Sequence, residues 1–172
     1  MTKGLGYCLI VLSCWALGEQ AAGRLKSHRR GLKQLQSWLS FFRGKLLYEG
    51  ATVEEALRES AKMAGAPFSI FFEQAADCLG LRDGRSFAQI WEDEGAKCRK
   101  HFRFTEEEFG DLLRFGSQLG QMDREVQLRA VTVYDERLGS AIKTAEEEIA
   151  AKEKLYRSLG IMAGCFMIIL IW

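Results

Sequence analysis

From Leu128 to Leu159 the chain repeats one spacing without a break. Leu128, Val131, Asp135, Leu138, Ile142, Ala145, Ile149, Lys152, Tyr156 and Leu159 alternate steps of three and four, and all but Asp135 and Lys152 are apolar. That rhythm is one face of an α-helix; a strand would repeat every second residue. Counted from Asp123, such a helix is about 54 Å long, and it leads straight into the apolar C-terminal run. Its other faces carry Glu146, Glu147, Glu148 and Glu153 with Lys143 and Lys154, which read most simply as a solvated surface. A chain that contains this element is bound to fold as helices packed along it.

The rest of the middle agrees. Leu32, Leu35, Leu39, Phe42 and Leu46 share a face, as do Val53, Ala56, Leu57, Ala61 and Ala64. Phe68, Phe71, Phe72, Ala75, Ala76 and Leu79 mark a third helix. Phe87, Ile90, Trp91 and Cys98 mark a fourth, and Phe109, Leu112, Leu113, Gly116 and Leu119 a fifth. Thr52 with Glu55, Ser86 with Gln89 and Thr105 with Glu108 have the spacing of capping boxes, which satisfy orphan amides at helix starts. Gly50, the Gly65–Pro67 stretch and Asp83–Gly84 punctuate the gaps. A single proline in 172 residues leaves little else to break helices. The sequence therefore predicts an all-α fold, an antiparallel bundle of about six helices joined by short turns.

Both ends are apolar. Residues 4–18, GLGYCLIVLSCWALG, hold no charge. As helix, this stretch with its flanks reaches roughly 22–28 Å, just under a hydrocarbon core of about 30 Å. An uncleaved anchor, a processed form and a buried helix are all open readings. The anchor is favoured, because Lys3 is the one side-chain charge before the run, and the run continues beyond the lipoprotein-like Cys14. Arg24, Lys26, Arg29, Arg30, Lys33, Arg43 and Lys45 come next, with no acid between Glu19 and Glu49, so the positive-inside rule places the residues after the anchor in the cytoplasm. Of these, Arg24, Lys26, Arg29, Arg30 and Lys33 are the candidate contacts to anionic headgroups. At the other end, residues 159–172, LGIMAGCFMIILIW, form a shorter uncharged run in which Gly160 and Gly164 make a small-xxx-small pair. The expected organisation is an anchor over 1–23, a cytoplasmic bundle over 24–158 and a membrane segment over 159–172.

The run FGSQLGQMDREVQ (115–127) combines two glycines with Asp123 and Gln127. Gly120 ends the fifth helix's apolar pattern, where a left-handed glycine cap is expected. Asp123 stands at the N-cap of the long helix. Gly116 lies on the apolar face, where a missing side chain permits close packing. The run therefore predicts a tight helical hairpin; the alternative is a notch at Gly116, beside Asp123 and Gln127, into which a partner inserts.

Catalytic signatures are absent. RGK at 43–45 lacks the preceding glycine of a phosphate-binding loop, and two histidines leave little for a hydrolytic triad. His101 falls in the basic run KCRKHFR (97–103), read as exposed beside a helix end. Five cysteines show neither metal-ligand spacing nor a disulfide framework, so free thiols are expected. Net charge is +1, which argues against a nucleic-acid partner. No enzyme activity, cofactor, metal or small-molecule substrate is expected.

LRFGSQLGQMDREVQ (113–127), KEKLY (152–156) followed by RSLGIMAG (157–164), and the opening apolar stretch together resemble the stage III sporulation protein AB family of spore-forming bacteria. The resemblance covers essentially the full length; Phe115–Gly116 departs conservatively from Leu–Gly. The family is similar to the cytoplasmic domain of type II secretion system F proteins, which implies a six-helix bundle. The resemblance further implies a non-enzymatic platform subunit of the channel complex between mother cell and forespore. Its partners would be a secretion-type ATPase, other stage III sporulation membrane proteins and the lipid bilayer. It would sit in the mother-cell membrane around the forespore and face the cytoplasm. The alternative is a membrane-bound adaptor or regulator of a signalling partner, without a secretion role.

Overall fold

The computed structural model describes residues 23, 25–120 and 123–171, with side chains as far as Lys152 and at Leu155. The apolar N-terminal stretch, Arg24 and Trp172 lie outside the described residues, as do the side chains of Tyr156, Leu159, Gly160 and Gly164. Among the described residues there are six helices and no strand. Helix α1 covers 25–44 and runs into a π-helical turn, Lys45–Glu49. Then come α2 (Val53–Ala61), α3 (Phe68–Gly80), α4 (Phe87–Cys98), α5 (Glu106–Leu119) and α6 (Arg124–Ile171).

The three capping boxes form in full. The hydroxyls of Thr52, Ser86 and Thr105 accept from the amides of Glu55, Gln89 and Glu108, whose side chains accept from the Thr52, Ser86 and Thr105 amides in return. Both orphan donors are thus satisfied at each start. The π-turn is closed by Gly50, whose φ of 64° is left-handed and whose N–H returns to the Lys45 carbonyl.

The chain divides into two compact units, Arg30–Ile142 and the remainder. In the first, α2 packs on α3, α3 on α4, and α4 on α5. The apolar faces read from the sequence supply its core: Leu32, Leu35, Leu39, Phe42 and Leu46 of α1 are buried, as are Val131, Leu138 and Ile142 of α6. Aromatic rings fill the centre. Trp38 stacks on Phe72 at 3.8 Å and donates its indole N–H to Ser60 Oγ at 2.8 Å, while Ser60 donates to the Leu57 carbonyl. The buried hydroxyl is therefore satisfied on both sides. Phe68 stacks on Phe102 at 5.1 Å and lies against Phe104 at 5.6 Å. The basic run 97–103 is thus only partly a surface, since His101 is exposed but Phe102 is buried. Each fully buried aromatic ring of this kind contributes about 1.5–3 kcal/mol of apolar transfer.

In the second unit, Arg29 pairs with Glu146 at 3.6 Å and Ala145 is buried. Helix α6 continues without a break through 159–171. Thirteen helical residues reach about 20 Å, short of a hydrocarbon core of about 30 Å. Among the described residues no helix is long and apolar enough to cross a membrane.

Candidate functional site

The four residues singled out between 116 and 127 meet where α4, α5 and α6 join. Gly116 is buried under Trp91; a Cβ at this position would overlap the indole ring. Trp91 donates its Nε1–H to the Leu112 carbonyl at 2.9 Å, one turn before Gly116. The ring lies across the helix because Gly116 has no side chain, and it finds its hydrogen-bond partner on the same stretch of backbone. A notch does exist, but an internal tryptophan fills it.

Gly120 departs from expectation. Its φ of −69° and ψ of −6° are right-handed, so it does not supply a left-handed cap. What it supplies is clearance: an added Cβ would stand 3.3 Å from the Phe87 Cβ and 3.6 Å from the Ala88 amide. The end of α5 passes close to the first turn of α4, and glycine is the residue that lets it. The Gly120 N–H returns to the Gly116 carbonyl at 3.2 Å.

Asp123 and Gln127 serve opposite helix ends. The Asp123 carboxylate accepts from the Glu125 amide at 2.9 Å, and its carbonyl accepts from the Gln127 amide at 3.1 Å, the first bond of α6. The Gln127 side chain reaches back and donates to the Leu119 carbonyl at 3.1 Å. One residue caps the incoming amides of α6; the other satisfies an orphan carbonyl of α5.

Residues beyond those four complete the joint. Phe115 stacks on Tyr134 at 4.6 Å and meets the edges of Trp91 and Trp38. Burial, with the Asp111 and Glu108 carboxylates adding to it, pushes the Tyr134 phenol well above its ordinary range. Asp111 bridges Arg114, at 3.1 Å, and Arg137. Arg124 donates to the Leu46 carbonyl at 2.6 Å and to the Leu47 carbonyl at 3.3 Å, joining the first turn of α6 to the π-turn that follows α1. Phe115 and Tyr134 each stand three residues after a seam position, Leu112 and Val131, and one before the next, a signal that a wider apolar stripe would have caught. The Arg124 contact had no signal, because its acceptors are backbone atoms.

The basic residues have mixed surroundings. Lys26, Arg30 and Lys33 are exposed, whereas Arg29 is half-buried and turned to Glu146. Arg24 lies outside the described residues. One buried carboxylate, Glu94, accepts from Lys97 at 2.6 Å and from the Cys78 thiol at 3.6 Å. Its charge is compensated within α4, as a buried acid requires. Among the described residues no three His, Cys, Asp or Glu side chains gather as a metal site.

These features define a class: an all-helical bundle protein whose joint between α4, α5 and α6 is set by two glycines, a tryptophan and a reciprocal pair of caps. The model of the stage III sporulation protein AB family matches residues 3–172, and the chain belongs to that family. It is 28% identical to stage III sporulation protein AB of Bacillus subtilis (strain 168) over 171 residues, 99% of each chain. A solved structure of a stage III sporulation protein AB superposes with a TM-score of 0.63 at 24% identity, over 70% of this chain and 94% of that one. That likeness concerns the fold.

Proposed function

We propose that the protein is a non-enzymatic, membrane-anchored platform subunit of the channel complex between mother cell and forespore. In this reading it docks a secretion-type ATPase against other stage III sporulation membrane proteins. The observation that carries it is the continuity of α6, one helix from Arg124 to Ile171 that includes the uncharged stretch 159–171. A bundle tied by covalent helix to an apolar tail transmits contact and force without needing a reaction centre. The uncharged residues 4–18 supply the other attachment, and Arg24, Lys26, Arg30 and Lys33 supply cations for the cytoplasmic leaflet of the mother-cell membrane around the forespore. The six helices and short turns are consistent with an arrangement like that of type II secretion F cytoplasmic domains.

The test is co-purification. The full chain is crosslinked in membranes of sporulating cells and recovered, and the eluate is scored for a secretion-type ATPase encoded with it. Recovery of the ATPase, lost when the chain is deleted beyond 158, supports the platform. Recovery of a signalling protein in its place returns the adaptor reading. Full release of the intact chain by alkaline carbonate would mean that neither apolar end anchors it.

A further inference from the structure

A groove of about 350 Å³ opens between the C-terminal end of α1 and α6. Leu39 and Val131 close its floor, and Leu47 and Tyr48 of the π-turn stand on its wall. Two of its residues are poor choices for the isolated bundle. Asp135 occupies a seam position between the buried Val131 and Leu138, where an apolar residue belongs, and takes one long hydrogen bond, 3.3 Å from Gln36. Gly44 is helical, with φ −58° and ψ −45°, although a Cβ there would meet nothing within 4 Å. Glycine in a helix with free space around it costs stability that alanine would restore. Nothing packs where a side chain at Gly44 would stand, and Asp135 is held in the bundle by that one long bond to α1.

The charges of the groove point the same way. Arg43 is exposed and has no ion-pair partner among the described residues; in particular, it does not pair with Asp135, although both line the groove. Tyr48 is 88% exposed, so an apolar ring stands open on the rim of the groove, beside two side chains of opposite charge. We infer that this groove seats a segment of a protein partner that presents a cation to Asp135 and a carboxylate to Arg43. Between them, an apolar side chain of the segment rests on Leu47 and Tyr48. This deepens the platform reading and rests on it for the existence of a protein partner; Gly44 is then the residue that keeps the groove open.

The experiment uses the full chain in its native membranes, with the photo-crosslinking residue p-benzoylphenylalanine in place of Tyr48 and adducts mapped by mass spectrometry. The expected adduct is one segment of another protein containing both a Lys or Arg and an Asp or Glu. Gly44→Phe, which fills the groove, should lower its yield at least tenfold, while Gly44→Ala leaves it within twofold and controls for folding. Arg43→Glu should lower the yield similarly, and changing the captured segment's acid to Lys should restore it. Asp135→Asn keeps the shape and should weaken capture without altering the melting curve. Adducts only with second copies of the chain, with lipid or with a small molecule, no adduct at all, or a yield unmoved by Gly44→Phe and Arg43→Glu each overturn the inference. If Gly44→Phe leaves the adduct yield unchanged while the ATPase co-purifies with the unmutated chain, the groove is wrong and the platform stands. If no ATPase co-purifies with the unmutated chain while the charge swap works, the platform is wrong and the groove stands.

Discussion

Trp91 occupies the space that a side chain at position 116 would need, and its indole N–H is held by the Leu112 carbonyl on the same helix as that glycine. The position of α4 against α5 is therefore set by a ring lying on bare backbone.

Gly116→Ala should accordingly destabilise the protein by about 1–3 kcal/mol, the usual cost of overpacking a core. Thermal unfolding followed by circular dichroism reads this directly. Trp91→Leu in the Gly116→Ala background should recover part of the loss, giving a coupling energy of at least about 0.5 kcal/mol between the two sites. Strict additivity would refute the contact.

Two other glycines should part company. Gly50, at φ 64° with open space around it, should cost about 1–2 kcal/mol on change to Ala, because the left-handed region is strained for any side chain. Gly120 is right-handed, so Gly120→Ala should cost less than about 1 kcal/mol, the neighbouring Phe87 giving way by a few tenths of an ångström. Equal losses for both would contradict the backbone angles.

Removing the caps of the joint should loosen it locally. Asp123→Ala should cost about 0.5–2 kcal/mol as an N-cap loss, and Gln127→Ala about 1 kcal/mol by leaving the Leu119 carbonyl without its side-chain donor. Hydrogen exchange should quicken at the amides of 119–128 in both variants and stay unchanged in α2. Uniform loss of protection across the bundle would mean that the caps act globally.

Tyr134 predicts a pH dependence. Its phenol is raised by burial and by nearby carboxylates, so the folded protein keeps the proton at a pH where the unfolded chain has released it. The unfolded state then binds fewer protons, and stability falls as pH rises above about 10. Tyr134→Phe should flatten that alkaline limb while leaving stability near pH 7 within about 1 kcal/mol. Denaturant midpoints measured from pH 7 to 11 decide it.

The helices are legible in the sequence because the features that fix them are local. Hydroxyl and acid or amide three residues apart at Thr52, Ser86 and Thr105, and apolar side chains three and four apart, need no knowledge of the rest of the chain. The joint is legible only in part. Asp123 as a cap follows from its place before a long apolar rhythm, but Gln127 reaches to a carbonyl eight residues back, which no spacing rule announces. Gly120 defeats the spacing rule for a physical reason: a glycine after a helix is usually chosen for its backbone freedom, and here it is chosen for clearance from Phe87. Phe102 is hidden by its neighbours, a buried ring between His101 and Arg103 on the surface.

Arg124 holds two backbone carbonyls of the π-turn while standing in the first turn of α6. The two bonds fasten that turn to the root of a 48-residue helix. A single guanidinium thus ties together stretches of chain 78 residues apart through backbone acceptors alone, so exchanging the side chain of Leu46 leaves the tie in place and only a change at Arg124 removes it.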